Sequence, residues 1–258
     1  MSAPDATLEG RTAIVTGAAS GIGRATAAKL TESGVNVAIF DLDADGAEGA
    51  ARDLGSGRAK VVAFAVDVAE REAVIRATGA VREQLGPVQI LVNNAGIDCI
   101  VPFMSLDEAT WNRVFAVNMT SMFHCVQAAA PDMIAGRWGR IINISSVAAQ
   151  RGSSRTMTAY SASKGAVISF TRSLAYEFGG HGITVNCIAP NFVFGQMHQR
   201  AIERGEIEPD FFDSQIAETP VGRIGTPEDV AAACVFLASP RAGFISAQTF
   251  GVNGGRFP

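Results

Sequence analysis

The stretch Thr12-Ala13-Ile14-Val15-Thr16-Gly17-Ala18-Ala19-Ser20-Gly21-Ile22-Gly23-Arg24 runs from a β-branched segment through three closely spaced glycines into a helical pattern. Glycines at Gly17, Gly21 and Gly23 let the backbone approach a pyrophosphate, and the free N–H groups and dipole of the new helix attract the anion. The spacing is G-x-x-x-G-x-G, which differs from the G-x-G-x-x-G of the dinucleotide fingerprint. Taken alone, the glycines could also serve only to pack strand against helix.

Outward from this turn, short apolar runs alternate with helical periodicity. Strands are predicted at 12–16, 35–40, 60–66, 88–92, 140–145, 183–188 and 248–252, and helices at 22–33, 44–54, 70–85, 106–118, 159–178 and 227–238. Such alternation implies an α/β fold, a Rossmann-type doubly wound parallel sheet of about seven strands with helices on both faces. Two helix starts carry capping signals: Ser105 with Glu108, and Thr226-Pro227-Glu228-Asp229. No linker or repeat divides the chain, so 1–258 is read as one domain. The segment 191–220 is broken by Gly and Pro yet rich in Phe, which predicts a substrate lid.

Composition bounds the function. A chain of 258 residues with 48% hydrophobic residues has enough core to fold without staples, which excludes a disordered or small-scaffold class. Its formal charge of -4 and only three lysines give no basic footprint for nucleic acid. Cys99, Cys125, Cys187 and Cys234 are scattered and lack neighbouring histidines, so no metal site is expected and a reducing compartment is. The acidic N-terminal stretch lacks the apolar core of a signal peptide, which leads to an expected cytoplasmic location without a membrane partner.

The candidate chemistry lies after the strands. Asp41 follows the second strand 24 residues after Gly17, where an acid can accept hydrogen bonds from ribose hydroxyls and would repel a 2′-phosphate. Neither Ser20 nor Leu42 offers a basic group, so NAD is favoured over NADP. A helix cap is the competing role for Asp41. Asp67, followed by Val68, is a candidate for the adenine amino group or an ordinary strand-end acid. Tyr160 and Lys164 are four residues apart, hence on one helix face. A cation beside the phenol would bring its pKa down from about 10 toward the operating range for proton transfer. Ser146 ends the fifth strand, where its hydroxyl could hold a carbonyl oxygen or simply make a turn. Asn118, in an otherwise apolar helical pattern, gains meaning only from this company.

In order, Thr16-Gly17-x-x-x-Gly21-Ile22-Gly23, Asn93-Asn94-Ala95-Gly96, Asn118, Ser146, Tyr160-x-x-x-Lys164 and Asn186-x-x-x-Pro190 make the chain resemble the short-chain dehydrogenase/reductase family over about residues 8 to 255. The resemblance implies an NAD(H)-dependent oxidoreductase interconverting a secondary alcohol and a ketone, with the hydride carried by the cofactor and the proton by Tyr160 as general acid/base. It makes Asn118, Ser146, Tyr160 and Lys164 the catalytic set. Lys164 would lower the pKa of Tyr160 and hold the nicotinamide ribose, Ser146 would polarise the carbonyl, and Asn118 would anchor a water leading to solvent. The implied cofactor contacts are Gly17, Ser20, Gly21, Ile22, Gly23, Asp41, Leu42, Asp67, Val68, Asn94, Ala95, Gly96, Tyr160, Lys164, Pro190 and Val193.

The resemblance further implies a homotetramer built through helices near 106–129 and 159–178. Its members most similar in pattern are 3-oxoacyl thioester reductases and alicyclic hydroxyacyl-CoA dehydrogenases, so the substrate is expected to be a 3-hydroxyacyl or alicyclic hydroxyacyl thioester or a cyclic alcohol. Arg151 or Arg155 could meet an anionic arm of such a substrate, or be solvated loop residues. Met197 and His198 are read as packing residues of the lid. Three departures stand out: Asn191 replaces the usual Gly after Pro190, Gly195 replaces a usual Thr, and Asn253 replaces a usual Asp before the final glycines. In addition, Ser146 to Tyr160 is one residue longer than the commonest spacing. Asn191 could keep the turn by adopting a left-handed backbone. A non-catalytic, dinucleotide-responsive binding protein is the competing function, and a phenol paired with a lysine argues against it.

Overall fold

The computed structural model describes residues 7–55, 57–152, 156–195 and 210–257. Seven parallel strands form one sheet: β1 (Thr12–Thr16), β2 (Asn36–Asp41), β3 (Val61–Ala65), β4 (Ile90–Asn93), β5 (Gly139–Ile144), β6 (Ile183–Pro190) and β7 (Thr249–Val252). Their order is β3-β2-β1-β4-β5-β6-β7. All six pairings are parallel. The chain therefore winds outward from β1 in one direction and from β4 in the other. The crevice at the carboxyl ends of β1 and β4 is where such sheets bind ligands.

The helices are α1 (Gly21–Glu32), α2 (Ala44–Leu54), α3 (Arg71–Leu85), α4 (Glu108–Phe115), α5 (Ser121–Gly136), the short α6 (Ala148–Arg151), α7 (Thr158–Phe178), α8 (Asp210–Ala217) and α9 (Pro227–Ala238). They cover both faces, and the period-2 alternation of strand side chains explains why. Ala13 and Val15 point into a core shared with Ala27 and Leu30 of α1 and Val230, Cys234 and Leu237 of α9. Ile14 points the opposite way, into a core with Val74 and Val81 of α3, Val126 and Met133 of α5 and Leu174 of α7. Both faces of β1 are dry, so all five of its residues are buried.

Two local expectations are corrected. The helix expected over 106–118 begins at Glu108 and continues as α5 to Gly136, interrupted by a π-helical turn, Ala116–Thr120. Its N-cap is Asp107, which accepts from the Thr110 amide at 2.6 Å, so Ser105 and Glu108 form no capping box. Asp107 wins because a carboxylate beside the positive helix end is the better acceptor. At α9 the expected signal holds: the Thr226 amide donates to Asp229 Oδ2 at 2.8 Å, with Pro227 at the first helical position. Among the described residues no helix is long and apolar enough to cross a membrane.

Candidate active site

The glycines of the turn differ in what surrounds them. An ideal Cβ on Gly23 would fall 2.2 Å from the Gly17 carbonyl oxygen, and one on Gly17 would fall 2.9 Å from Ala95 Cα. Those positions are closed to any side chain. Gly21, at φ +55°, has open space where its Cβ would be, so its backbone is bare toward the crevice. Ser20 caps α1 without a side-chain bond and no acid lies in the first turn. The leading amides of α1 thus have no side-chain acceptor, an arrangement that suits an anion. This bare, donor-lined cradle fits a pyrophosphate.

The turn is stitched to the loop after β4. Thr16 Oγ1 accepts from the Asn94 and Ala95 amides, both at 3.0 Å, and Asn94 Nδ2 donates to the Thr16 and Gly17 carbonyls at 3.0 and 2.9 Å. Thr16 was not singled out as a site residue in its own right, although its place directly before Gly17 signals it. At the end of β2, the Asp41 carboxylate accepts from the Ala19 amide at 2.9 Å and the Asp43 amide at 3.0 Å. It is not the cap of α2; Asp43 is, accepting from Gly46 at 3.0 Å. Leu42 beside it is exposed, and Arg24, in the first turn of α1, is engaged by Asp53. Asp67 accepts from the Ala69 amide at 2.9 Å and pairs with Arg113 at 3.3 Å, while Val68 is buried.

At the other side of the crevice, the π turn aims Asn118 inward, and the residue is fully buried. Its Oδ1 accepts from the Ile97 amide at 2.8 Å, and Nδ2 donates to Ile97 O at 2.9 Å and Ser163 Oγ at 3.0 Å. Both amide hydrogens are used, which leaves one lone pair of Oδ1 for a water. Extra backbone from a π turn is a recurrent way to place such a side chain. Ser163 in turn donates to the Tyr160 carbonyl at 2.8 Å. Lys164 is buried, its Nζ donating to Ile144 O at 2.8 Å, and Ser145 Oγ donates to the Lys164 carbonyl at 2.7 Å. A Cβ on Gly96 would come within 3.2 Å of Lys164 Nζ and 3.3 Å of Asn118 Oδ1, so a bare backbone leaves those groups room. Ser146 Oγ accepts from the Ala148 amide at 3.1 Å, and its hydroxyl acts on the Tyr160 phenol electrostatically.

The electrostatics correct one expectation. The Tyr160 phenol is raised, not lowered: burial pushes it up, the Ser146 hydroxyl pulls it down less, and the Asp98 charge adds to the rise. Lys164 Nζ lies 5.9 Å from the Tyr160 ring centroid and is directed to the Ile144 carbonyl. Burial takes Lys164 from an ordinary 10.5 down to about 8. Asp98, which follows the Asn94-Ala95-Gly96-Ile97 loop, is the charge that motif reading passed over.

Pro190 and Val193 begin the wall on the far side. Pro190 O accepts from Val147 N at 3.0 Å, and Val193 bridges to Gly225. Asn191 keeps its turn without a left-handed backbone; its amide is instead tied to Val252 O at 3.2 Å. Phe192 and Phe194 meet Phe211 and Phe212 edge to face, with centroids 5.4 to 5.9 Å apart. Arg151 is exposed, its guanidinium 5.9 Å from the Phe257 ring. Arg155, Met197 and His198, with much of the expected lid, lie outside the described residues. Among those described, no group of His, Cys, Asp and Glu could hold a metal ion.

Residues 17–256 match the family model described as enoyl-(acyl carrier protein) reductase. The chain is 39% identical over 96% of its length to galactitol 2-dehydrogenase (L-tagatose-forming) of Cereibacter sphaeroides, covering 95% of that protein. It is 36% identical over 97% of its length to a 3-oxoacyl-[acyl-carrier-protein] reductase of Vibrio harveyi, covering 98% of it. A crystal structure from Sinorhizobium meliloti 1021, described as that of a candidate short-chain alcohol dehydrogenase, superposes with a TM-score of 0.90 at 34% identity, covering 98% of both chains.

Proposed function

The chain belongs to the short-chain dehydrogenase/reductase family, and on that premise we propose that it interconverts a secondary alcohol and a ketone with NAD(H), Tyr160 serving as general acid/base. The observation that carries this reading is the buried chain of bonds from Asn118 Nδ2 to Ser163 Oγ at 3.0 Å and from Ser163 Oγ to the Tyr160 carbonyl at 2.8 Å, with the Lys164 ammonium 5.9 Å from the Tyr160 ring centroid. A binding protein has no use for a phenol so arranged.

In the proposed cycle the Ser146 hydroxyl, oriented by the Ala148 amide, donates to the substrate oxygen. The nicotinamide, when bound, supplies or takes the hydride. Tyr160 gives a proton to the oxygen in reduction and takes one in oxidation. Its raised pKa keeps the phenol in the protonated form, and both proton release and base action require a cation closer than Lys164 Nζ now lies. Lys164, freed from Ile144 O to hold the ribose, is that cation. Asn118 fixes the Ile97 backbone and keeps one Oδ1 lone pair for a water by which the proton reaches solvent. Gly17, Gly21 and Gly23 would hold the pyrophosphate, Asp41 the adenosine ribose, and Asn94 with Gly96 the adjoining backbone. Asp41, an acid that would repel a 2′-phosphate, favours NAD over NADP.

The phenylalanine wall suits an acyl or alicyclic body, which favours a hydroxyacyl thioester or cyclic alcohol as substrate. Exposed Phe123 on α5 and Tyr176 on α7 support assembly into a homotetramer through those helices. Four buried free cysteines suit a reducing, cytoplasmic setting. The test is oxidation of NADH against NADPH with a 3-oxoacyl-CoA, an alicyclic 2-oxo thioester and simple cyclic ketones, repeated with Tyr160→Phe. We expect NADH turnover and a loss of at least about 100-fold in the variant, with NADH binding unchanged. Normal turnover by Tyr160→Phe would remove it from the acid/base role. NADH binding without turnover of any acceptor would favour the non-catalytic reading.

A further inference from the structure

The chain does not finish its work at β7. After Val252, Asn253 uses both ends of its carboxamide to fold the tail: Oδ1 accepts from the Gly255 amide at 3.0 Å, and Nδ2 donates to the Phe257 carbonyl at 2.6 Å. An aspartate at 253 could make only the first of these and would repel the second carbonyl. Gly254, at φ +63°, lies flat on the segment after α8, where its carbonyl accepts from the Val221 amide at 3.1 Å. A Cβ on it would strike Thr219 Cγ2 at 2.5 Å.

This fold of the tail delivers Arg256 to α8. Its side chain is only 9% exposed. One guanidinium nitrogen donates to Gln215 Oε1 at 2.7 Å and another pairs with the Glu218 carboxylate, groups three residues apart on and just past one helix. Phe257 turns its ring toward Arg151, at the end of the α6 turn that begins two residues after Ser146. The opposite end of α8 carries Phe211 and Phe212 onto Phe192 and Phe194. Five residues of tail thus join the aromatic wall to the segment that carries the candidate catalytic serine.

We propose that Arg256, presented by Asn253, is a positioning residue that fixes α8 and so sets the apolar wall against which the acceptor's body packs. The proposal rests on the function proposed above for where the acceptor lies, and on the tail contacts alone for the fixing of α8. Burial of the guanidinium makes it a rigid strut: a fork held in two directions cannot follow α8 if the helix shifts. Removing it leaves Gln215 and the largely exposed Glu218 to water, so α8 loosens while the sheet and the Ser146-Tyr160 pair stay as they are.

The experiment uses the full chain and the variants Arg256→Ala, Arg256→Lys and Asn253→Asp. It has two arms: steady-state kinetics with a small acyclic and a bulky alicyclic ketone, and amide hydrogen exchange over 210–222. Arg256→Ala should raise KM for the bulky acceptor about tenfold, leave KM for the small one, kcat and NADH affinity within about twofold, and speed exchange over 210–222. Arg256→Lys, which keeps the charge facing Glu218, should recover part of both effects, and Asn253→Asp should reproduce the loss. Unchanged exchange over 210–222 overturns the proposal. A parallel fall of kcat, NADH affinity and thermal stability also overturns it, as the mark of general unfolding. If the wild-type chain reduces no acceptor, the proposed function fails, and the exchange arm still decides whether Arg256 fixes α8.

Discussion

Replacing Lys164 by Met should destroy turnover and yet make the protein more stable at neutral pH. The side chain is 3% exposed, and burial takes its ammonium from an ordinary 10.5 to about 8. At about 1.4 kcal/mol for each pH unit, holding that proton in the folded state costs about 3 kcal/mol near pH 7. Methionine fills a similar volume without the charge. Against the gain stands the loss of the bond from Nζ to Ile144 O at 2.8 Å, whose orphaned carbonyl costs about 1–3 kcal/mol. The balance at pH 7 is a net gain of about 1 kcal/mol, read as an increased urea midpoint for the cofactor-free protein at unchanged slope.

The pH dependence carries the sharper test, because the orphaned carbonyl costs the same at every pH. Lysine has its folded pKa below its unfolded one, so the unfolded chain binds more protons between about pH 8 and 10.5, and wild-type stability from this group rises through that window. The advantage of the methionine variant should therefore shrink by about 2 kcal/mol between pH 7 and pH 9.5. Cys125, Cys187 and Cys234, pushed by burial to about 12, 11 and 12, work in the opposite sense above pH 9: folded thiols keep protons that unfolded ones lose. Cys125 and Cys234 are common to both proteins and cancel in the difference; Cys187, held down in part by the Lys164 charge, rises further in the variant, but a folded thiol at or above about 11 stays protonated to pH 9.5 in either protein and leaves the difference unchanged. A stability difference that stays constant from pH 7 to 9.5 would refute the burial argument for Lys164.

Two further outcomes test the cofactor side. Asp41→Arg should shift the ratio of NADPH to NADH turnover by at least about tenfold, since it replaces an acid that repels a 2′-phosphate with a fork that binds one; an unchanged ratio places cofactor choice elsewhere. Gly23→Ala would drive a methyl group into the Gly17 carbonyl, 2.2 Å away, and toward Asn94 Nδ2 at 2.6 Å. Overpacking against backbone should cost about 1–3 kcal/mol in stability and weaken NADH binding by moving the pyrophosphate turn, as read by thermal unfolding and fluorescence titration. A variant as stable and as tightly binding as the parent would mean the turn can yield.

What could be read without coordinates was whatever a local pattern determines. Each strand is an apolar run ended by turn residues, so all seven were legible, with β6 extending two residues further because Ala189 and Pro190 pair with Gly251 and Val252. Where two local rules competed, position alone did not decide: Ser105 and Asp107 both offer a cap three residues before a partner. The π turn was illegible because it depends on Asn118 bonding Ile97, 21 residues away. Thr16 likewise acquires its task only from Asn94, 78 residues on. The four-residue spacing of Tyr160 and Lys164 correctly placed both on one face, yet spacing says nothing of where a long ammonium is aimed, and Ile144 O captured it. Burial then raised the phenol that the pair was expected to lower. The ordered motif marks the ends of β1, β4, β5 and β6 at one edge of the sheet, and that convergence is why a site was legible at all. The tail was not, since its meaning lies in Arg256 reaching Gln215 across 41 residues and in one amide hydrogen that distinguishes Asn253 from an aspartate. Residues that chemistry requires leave a motif; residues that hold a wall in place leave only the contacts that a particular fold happens to bring together.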